Sequence, residues 1–222
     1  MAFSRRALVA ATVACLAGGC AAMGGAVPAR LSPDRLPTLA RVVDGAPVSL
    51  AEIVRAHDAT VLVWWASRCP CVKRYQRRID DLARRFGGRR TAVLMVASNA
   101  DDDRATLRRA LVARRVAVPL LFDRGGRLAR ALGVETTPTT VALDKHGRVA
   151  FHGWIDNERT LGASGRKAYA VGAVSALLAG LPVGTPRTPV YGCRITRALG
   201  EPQRCHHAVD HRETGTACTE RR

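Results

Sequence analysis

An α/β fold with a mixed central sheet is predicted by three features of the sequence. Short apolar runs rich in strand formers recur, at Val61-Leu62-Val63-Trp64-Trp65, at Thr91–Ala97 and at Leu120-Leu121-Phe122. Segments with helical apolar spacing alternate with them. The pattern then closes on a hairpin turn signal, Asp144-Lys145-His146-Gly147, set between two further runs. Strands alternating with helices give parallel neighbours, and a closing hairpin makes the sheet mixed in direction, with helices on its flanks.

Each element has its own justification. The run from Val61 carries no polar alternation, so a fully buried strand fits. A helix follows from Val72 to Phe86, where Tyr75, Ile79, Leu82 and Phe86 line one apolar face. Pro70 suits its first turn, and Gly87-Gly88 ends it. After the strand Thr91–Ala97, Asp101-Asp102-Asp103 put acids at the positive end of a helix running to about Val116. Leu120-Leu121-Phe122 is the next strand, and a short helix passes through Leu128 and Leu132 to Gly133. Thr139 to Leu143 and Arg148 to Gly153 form the hairpin. A last helix covers about Lys167 to Ala179. From Leu181 onward the chain is rich in Pro, Gly and Thr and reads as an irregular, extended tail.

The start of the chain sets the compartment. Arg5-Arg6 precede an apolar run, Ala7 to Gly19, that has the length of a signal-peptide core and is too short to span a bilayer. Two cleavage readings stand. Leu16-Ala17-Gly18-Gly19-Cys20 resembles a bacterial lipobox, in which Cys20 is lipidated and anchors the protein to the membrane. The alternative is ordinary cleavage after Val27-Pro28-Ala29. Either way the expectation is export to the periplasm, with residues 1–29 as signal, 30–184 as the folded domain and 185–222 as the tail.

The formal charge is +17 and comes almost entirely from arginine. Those arginines are spread over every segment, with acids interleaved as in Arg78-Ile79-Asp80-Asp81. No basic tail or aromatic-spaced platform is present, so the reading is a solvated surface and no nucleic-acid partner. No cofactor is called for. Of seven cysteines, Cys15 and Cys20 belong to the signal. Cys69, Cys71, Cys193, Cys205 and Cys218 remain, an odd number, which suggests an exchanging thiol.

Cys69 is placed at the end of a buried strand and the start of a helix. Helix N-terminal amides stabilise a thiolate there and can draw a cysteine pKa down to about 3.5–7.5. Arg68 adds cationic field. The segment Trp65-Ala66-Ser67-Arg68-Cys69-Pro70-Cys71 resembles the active-site segment of the thioredoxin superfamily, and Thr136-Thr137-Pro138-Thr139 resembles its cis-proline loop. The match is closest to the redoxin branch of thioredoxin-like and peroxiredoxin-like proteins, of exported lipoprotein type. The resemblance implies a thioredoxin-like fold, a cis peptide before Pro138, and Trp65, Thr137 and Pro138 around the substrate. In some members a Gly-Cys follows the last helix, as Gly192-Cys193 does here.

The departures from that pattern are informative. One residue separates Cys69 from Cys71 where thioredoxins have two, and side chains two apart on a helix diverge. Val63 stands where many thioredoxins carry a buried aspartate, and Ala66 where peroxiredoxins carry threonine. The expected activity is thiol–disulfide exchange on protein or small-molecule thiols and disulfides. Cys69 is the nucleophile, and Cys71 or Cys193 is the thiol that resolves the mixed disulfide. Two alternatives stay open, a thiol peroxidase and a copper-binding module in which Cys69 and Cys71 join a histidine. Cys193 has a competing role in a structural disulfide to Cys205 or Cys218. Cys205-His206-His207 with His211 offers metal-ligand types, although a polar terminus accounts for them, and no metal residue is assigned. His57, His146 and His152 read as surface or loop positions, and Trp154-Ile155-Asp156 as packing.

Overall fold

The computed structural model describes residues 31–88, 90–157 and 167–200, together with the backbone of 205–206. The signal segment with Cys15 and Cys20, and the terminal residues Cys218, His207 and His211, lie outside the described residues.

The domain is organised about a seven-stranded sheet. A 3-10 turn at Pro33–Arg35 leads into β1 (Thr38–Arg41), β2 (Pro47–Ser49) and α1 (Leu50–Ala56). Then come β3 (Ala59–Trp64), α2 (Pro70–Phe86), β4 (Thr91–Ala97), α3 (Arg104–Ala113), β5 (Leu120–Phe122) and α4 (Arg127–Ala131). The short strand β6 (Thr136–Thr137) precedes the hairpin of β7 (Thr140–Asp144) and β8 (Val149–Gly153), which is followed by α5 (Tyr169–Leu178). In the tail, β9 (Gly192–Arg194) and β10 (Cys205–His206) complete the described elements. The strand order is β2-β1-β5-β4-β3-β7-β8. β3, β4 and β5 run parallel, whereas β7 lies antiparallel to β3, β8 to β7, and β1 to β5. The peptide before Pro138 is cis. This is the thioredoxin-like arrangement that the two motifs imply.

Strand alternation divides the core into two layers. Val61 and Val63 of β3, with Val93 and Met95 of β4, face α2 and α5. Leu62 and Trp64, with Leu94 and Val96, face α1 and α4. The stripe expected on α2 faces the first layer: Tyr75, Ile79 and Leu82 are buried there, and Phe86 packs against its edge. α2 starts two residues earlier than its apolar periodicity indicates, because Pro70 needs no amide partner at a first helical position.

Three expectations are corrected by packing. α3 ends at Ala113 rather than near Val116, and the chain reverses through Arg115 (φ 52°) to reach Pro119 and β5. Of the three acids before α3, only Asp103 caps it, accepting from Thr106 N at 2.6 Å. Asp102 turns inward and Asp101 accepts from Gly200 N at 2.7 Å. His152 is not a surface residue; it lies on β8 and is buried. The beginning of the tail is irregular but docked: Tyr191, Cys193, Ile195 and Thr196 are all buried against the domain.

Candidate active site

β3 delivers the chain to the site from inside the core, and α2 carries it away. Cys69 is the N-cap of α2, and its Sγ accepts from Val72 N at 3.4 Å. That contact is the helix-amide environment expected for this sulfur. The Sγ also lies 3.4 Å from the Thr137 carbonyl oxygen, which brings the strand-to-helix junction against the loop of Pro138.

Cys69 is joined to Cys193 in a disulfide, with the Cα atoms 5.9 Å apart. Cys71 is the free cysteine among the described residues, and it is buried. The three Sγ atoms all lie within 4.8 Å of one another. The one-residue spacing turns Cys71 away from the N-cap position, so Cys69 bonds to the tail and Cys71 stays beside the pair. Of the fates considered for Cys193, it is the bond to Cys69 that forms, while Cys193 and Cys205 are backbone partners between β9 and β10.

Cys193 reaches the site by strand pairing. β9 runs antiparallel to β6, with Thr137 opposite Cys193 and Thr136 opposite Arg194. Thr137 Oγ1 donates to Cys193 O at 3.4 Å, and Ile195 N donates to Glu135 O at 2.8 Å. Tyr191 sets its ring edge-on to Trp154 at 4.4 Å between centroids, and Trp154 Nε1 donates to Tyr191 O at 3.0 Å. The Tyr191 hydroxyl is 3.9 Å from Cys71 Sγ.

The predicted substrate-docking residues are all present but covered. Thr137 and Pro138 are buried beneath the tail strand. Trp65 is fully buried too. Its Nε1 donates to Gln76 Oε1 at 2.8 Å, and the Arg114 guanidinium lies over its ring at 5.3 Å. Arg114 also donates to the Ser67 carbonyl, while the Ser67 hydroxyl and amide both donate to Asp102. Together Trp65, Ser67, Asp102 and Arg114 fix the turn that presents Cys69.

Burial is the first cause of each shift at the site. Burial pushes the Cys71 thiol up, against smaller downward pulls from the Tyr191 hydroxyl and the Arg74 charge. Burial also raises the Asp102 carboxyl, with Ser67 and Arg68 opposing it. Tyr75 is pushed up to about 12, first by burial and then by the Asp156 carboxylate. Asp156, fully buried, pairs with buried Arg78 at 3.2 Å, so the segment after β8 does more than pack. Val63 is buried where many thioredoxins carry an aspartate, and the buried carboxylates among the described residues are Asp102, Asp123 and Asp156.

Reasoning from sequence alone missed Tyr191, Asp102 and Arg114. Tyr191 had a readable signal, since a residue two before Cys193 shares its strand face. The other two act through contacts that only the fold creates.

The AhpC/TSA family model matches residues 34–152. The thiol-disulfide oxidoreductase ResA of Halalkalibacterium halodurans is 23% identical over 107 residues, which cover 48% of this chain and 58% of that protein. Two solved structures share the fold. An uncharacterized conserved protein from Geobacillus kaustophilus has a TM-score of 0.70 at 24% identity, covering 79% of this chain and 95% of its own. A hypothetical protein from Sinorhizobium meliloti 1021 has a TM-score of 0.68 at 24% identity, covering 79% and 97%.

Proposed function

We propose that this chain, which belongs to the AhpC/TSA family, is an exported thiol–disulfide oxidoreductase working through Cys69 and Cys193, with Cys71 beside them. The observation that carries this reading is the Cys69–Cys193 disulfide, placed at the α2 N-terminus against the Pro138 loop. A thiolate from a reduced partner attacks Cys69 Sγ, and the Cys193 thiolate leaves. A second partner thiolate then attacks the partner's own sulfur in the mixed disulfide and expels Cys69 as a thiolate held by the Val72 amide. The partner loses two electrons and becomes a disulfide, while Cys69 and Cys193 gain them. The same steps run backward when the pair is reduced and the partner oxidised. The similarity to an oxidoreductase supports the reaction class. The signal segment supports export, and anchoring through Cys20 belongs to the same proposal.

The test is turnover of a dithiol–disulfide couple by the purified protein and its serine variants. Cys69→Ser is expected to abolish turnover, and Cys193→Ser to let Cys69 accumulate as a mixed disulfide seen by mass spectrometry. Full turnover in Cys69→Ser sinks the reading. A second reading rests on the same three sulfurs: reduced and within 4.8 Å of one another, they suit a soft monovalent cation such as Cu(I). No histidine joins that group among the described residues. Stoichiometric copper retained by the reduced protein, and lost in Cys71→Ser, supports this second role.

A further inference from the structure

The tail that closes over the site carries information about what else fits there. Residues 191–196 occupy a groove whose walls are β6, Trp154 and Asn99. Much of the attachment is through main chain: Ile195 N to Glu135 O at 2.8 Å, Trp154 Nε1 to Tyr191 O at 3.0 Å, and Thr196 N to Asn99 Oδ1 at 3.0 Å. Main-chain pairing of this kind accepts any extended segment, and selection comes from the side-chain positions between.

Three of those positions are read closely. Gly192 has φ +153°, and a Cβ there would lie 2.1 Å from the Thr137 carbonyl oxygen and 2.7 Å from its carbon. Both obstacles are backbone, so only glycine fits directly before the cysteine. Tyr191 fills an aromatic corner made by Trp154 and Tyr75, with its hydroxyl toward Cys71. Ile195, 1% exposed, enters the second core layer beside Val134. Arg194 points outward and is not read.

We propose that this groove is the docking site for a partner protein, and that it selects an extended segment with glycine before the reacting cysteine, an aromatic residue before that glycine and an aliphatic residue two places after the cysteine. The proposal rests on the oxidoreductase reading and names the substrate class for it. The chain's own tail is the internal occupant. Cys69 and Cys193 are 0% and 1% exposed, so no partner sulfur reaches them until the tail strand lifts. What the lifted tail leaves is a groove shaped by its own sequence. The tail remains tethered through Thr188, whose hydroxyl accepts from Trp154 N at 2.8 Å, so it competes at high local concentration. Only a segment that satisfies the same three positions displaces it. The exchange balances: the partner thiolate bonds to Cys69 Sγ, the Cys69–Cys193 bond breaks, and the electron pair leaves with Cys193.

The experiment uses the full chain with Cys193→Ser, so that Cys69 cannot close on the tail. The probes are capped hexapeptides Tyr-Gly-Cys-Arg-Ile-Thr and its single variants, each as a mixed disulfide with thionitrobenzoate. The reduced Cys69 thiolate attacks the peptide sulfur and releases the coloured thionitrobenzoate anion, whose appearance gives the rate. Alanine in place of the peptide glycine is expected to slow the reaction about tenfold or more. Serine in place of the tyrosine or isoleucine slows it as well, and serine in place of the arginine leaves it unchanged. Equal rates for the glycine and alanine peptides overturn the proposal. If thionitrobenzoate disulfides of every kind, including that of a free small thiol, fail to react at Cys69, the oxidoreductase reading falls and takes the proposal with it. A Gly192→Ala chain with all cysteines present gives an independent measure. Its tail loses its seat, so its Cys69–Cys193 bond forms less completely and the glycine peptide reacts faster than with the native chain. A bond that forms as fully as in the native chain overturns the selection of glycine. A native chain that runs as a dimer linked from Cys69 to Cys193 assigns the groove to a second copy's tail and overturns it too.

Discussion

Cys71 sits in an environment that keeps it a thiol. Burial raises it, and the Tyr191 hydroxyl is the first of two groups that pull it down. A raised native value means that the neutral form contributes stability below the ordinary thiol range, and that the contribution is lost as pH rises through the native value. Alkylation of Cys71 in the oxidised protein should therefore begin only at more alkaline pH than for a free peptide thiol, measured by peptide mapping across a pH series. Tyr191→Phe removes the hydroxyl and should delay alkylation further, whereas Tyr191→Ala uncovers the sulfur and should speed it. Identical pH profiles for all three proteins would remove Tyr191 from the site's chemistry. His152 works with the opposite sign. Burial first, and then the Arg187 charge, lower it from 6.5. Its neutral form contributes fully above that value, and the contribution is lost as pH falls from there through the lowered native value. Denaturant titrations between pH 7 and 5 should show a smaller loss of stability in His152→Phe than in the native chain. Neither environment was legible in the sequence. The placement of Cys69 was, because it follows from a strand-to-helix junction. Tyr191, Asp102 and His152 depend on partners far along the chain, which no local pattern encodes.

Elements were legible where one periodicity ruled. β4 matches its expected span, and β3 and α2 each begin two residues before theirs, because a buried strand shows an unbroken apolar run and α2 shows a clean stripe. β1, β2 and α1 went unread, being short and half exposed. A signal for α1 was nonetheless present: Ser49 and Glu52 stand at capping-box spacing, and the Ser49 hydroxyl accepts from Glu52 N at 3.2 Å. The joint between α2 and the end of β8 was equally hidden. Arg78 and Asp156 are 5% and 0% exposed and pair at 3.2 Å. Removing one partner leaves a buried charge uncompensated, so Asp156→Ala should cost about 3–5 kcal/mol. Replacing both, as Arg78→Met with Asp156→Leu, should cost clearly less than Asp156→Ala. Chemical denaturation of the native, single and double variants checks this. A double variant no better than the single one would mean that each group works through other contacts.

At the scale of the whole molecule, the Cys69–Cys193 bond ties the middle of the chain to its tail across 124 residues. The odd cysteine count and the Gly-Cys of the tail raised this bridge as an expectation beside bridges within the tail. What decides between them is the pairing of β9 with β6, a contact between segments that only the folded sheet brings together. A cross-link over so long a loop removes many conformations from the unfolded chain, and the chain-entropy account sets the stabilisation at up to about 5 kcal/mol. The tail is also held without the bond, by Ile195 in the second core layer and by Tyr191 on Trp154. Reduction should therefore lower the unfolding free energy by several kcal/mol while leaving the domain folded. The measurement is a denaturant titration of the native chain with and without a strong dithiol, followed through tryptophan fluorescence. Cys193→Ser should match the reduced native chain and ignore the dithiol. Equal stability of the oxidised and reduced native chains would overturn this bond's role as a constraint on the unfolded chain.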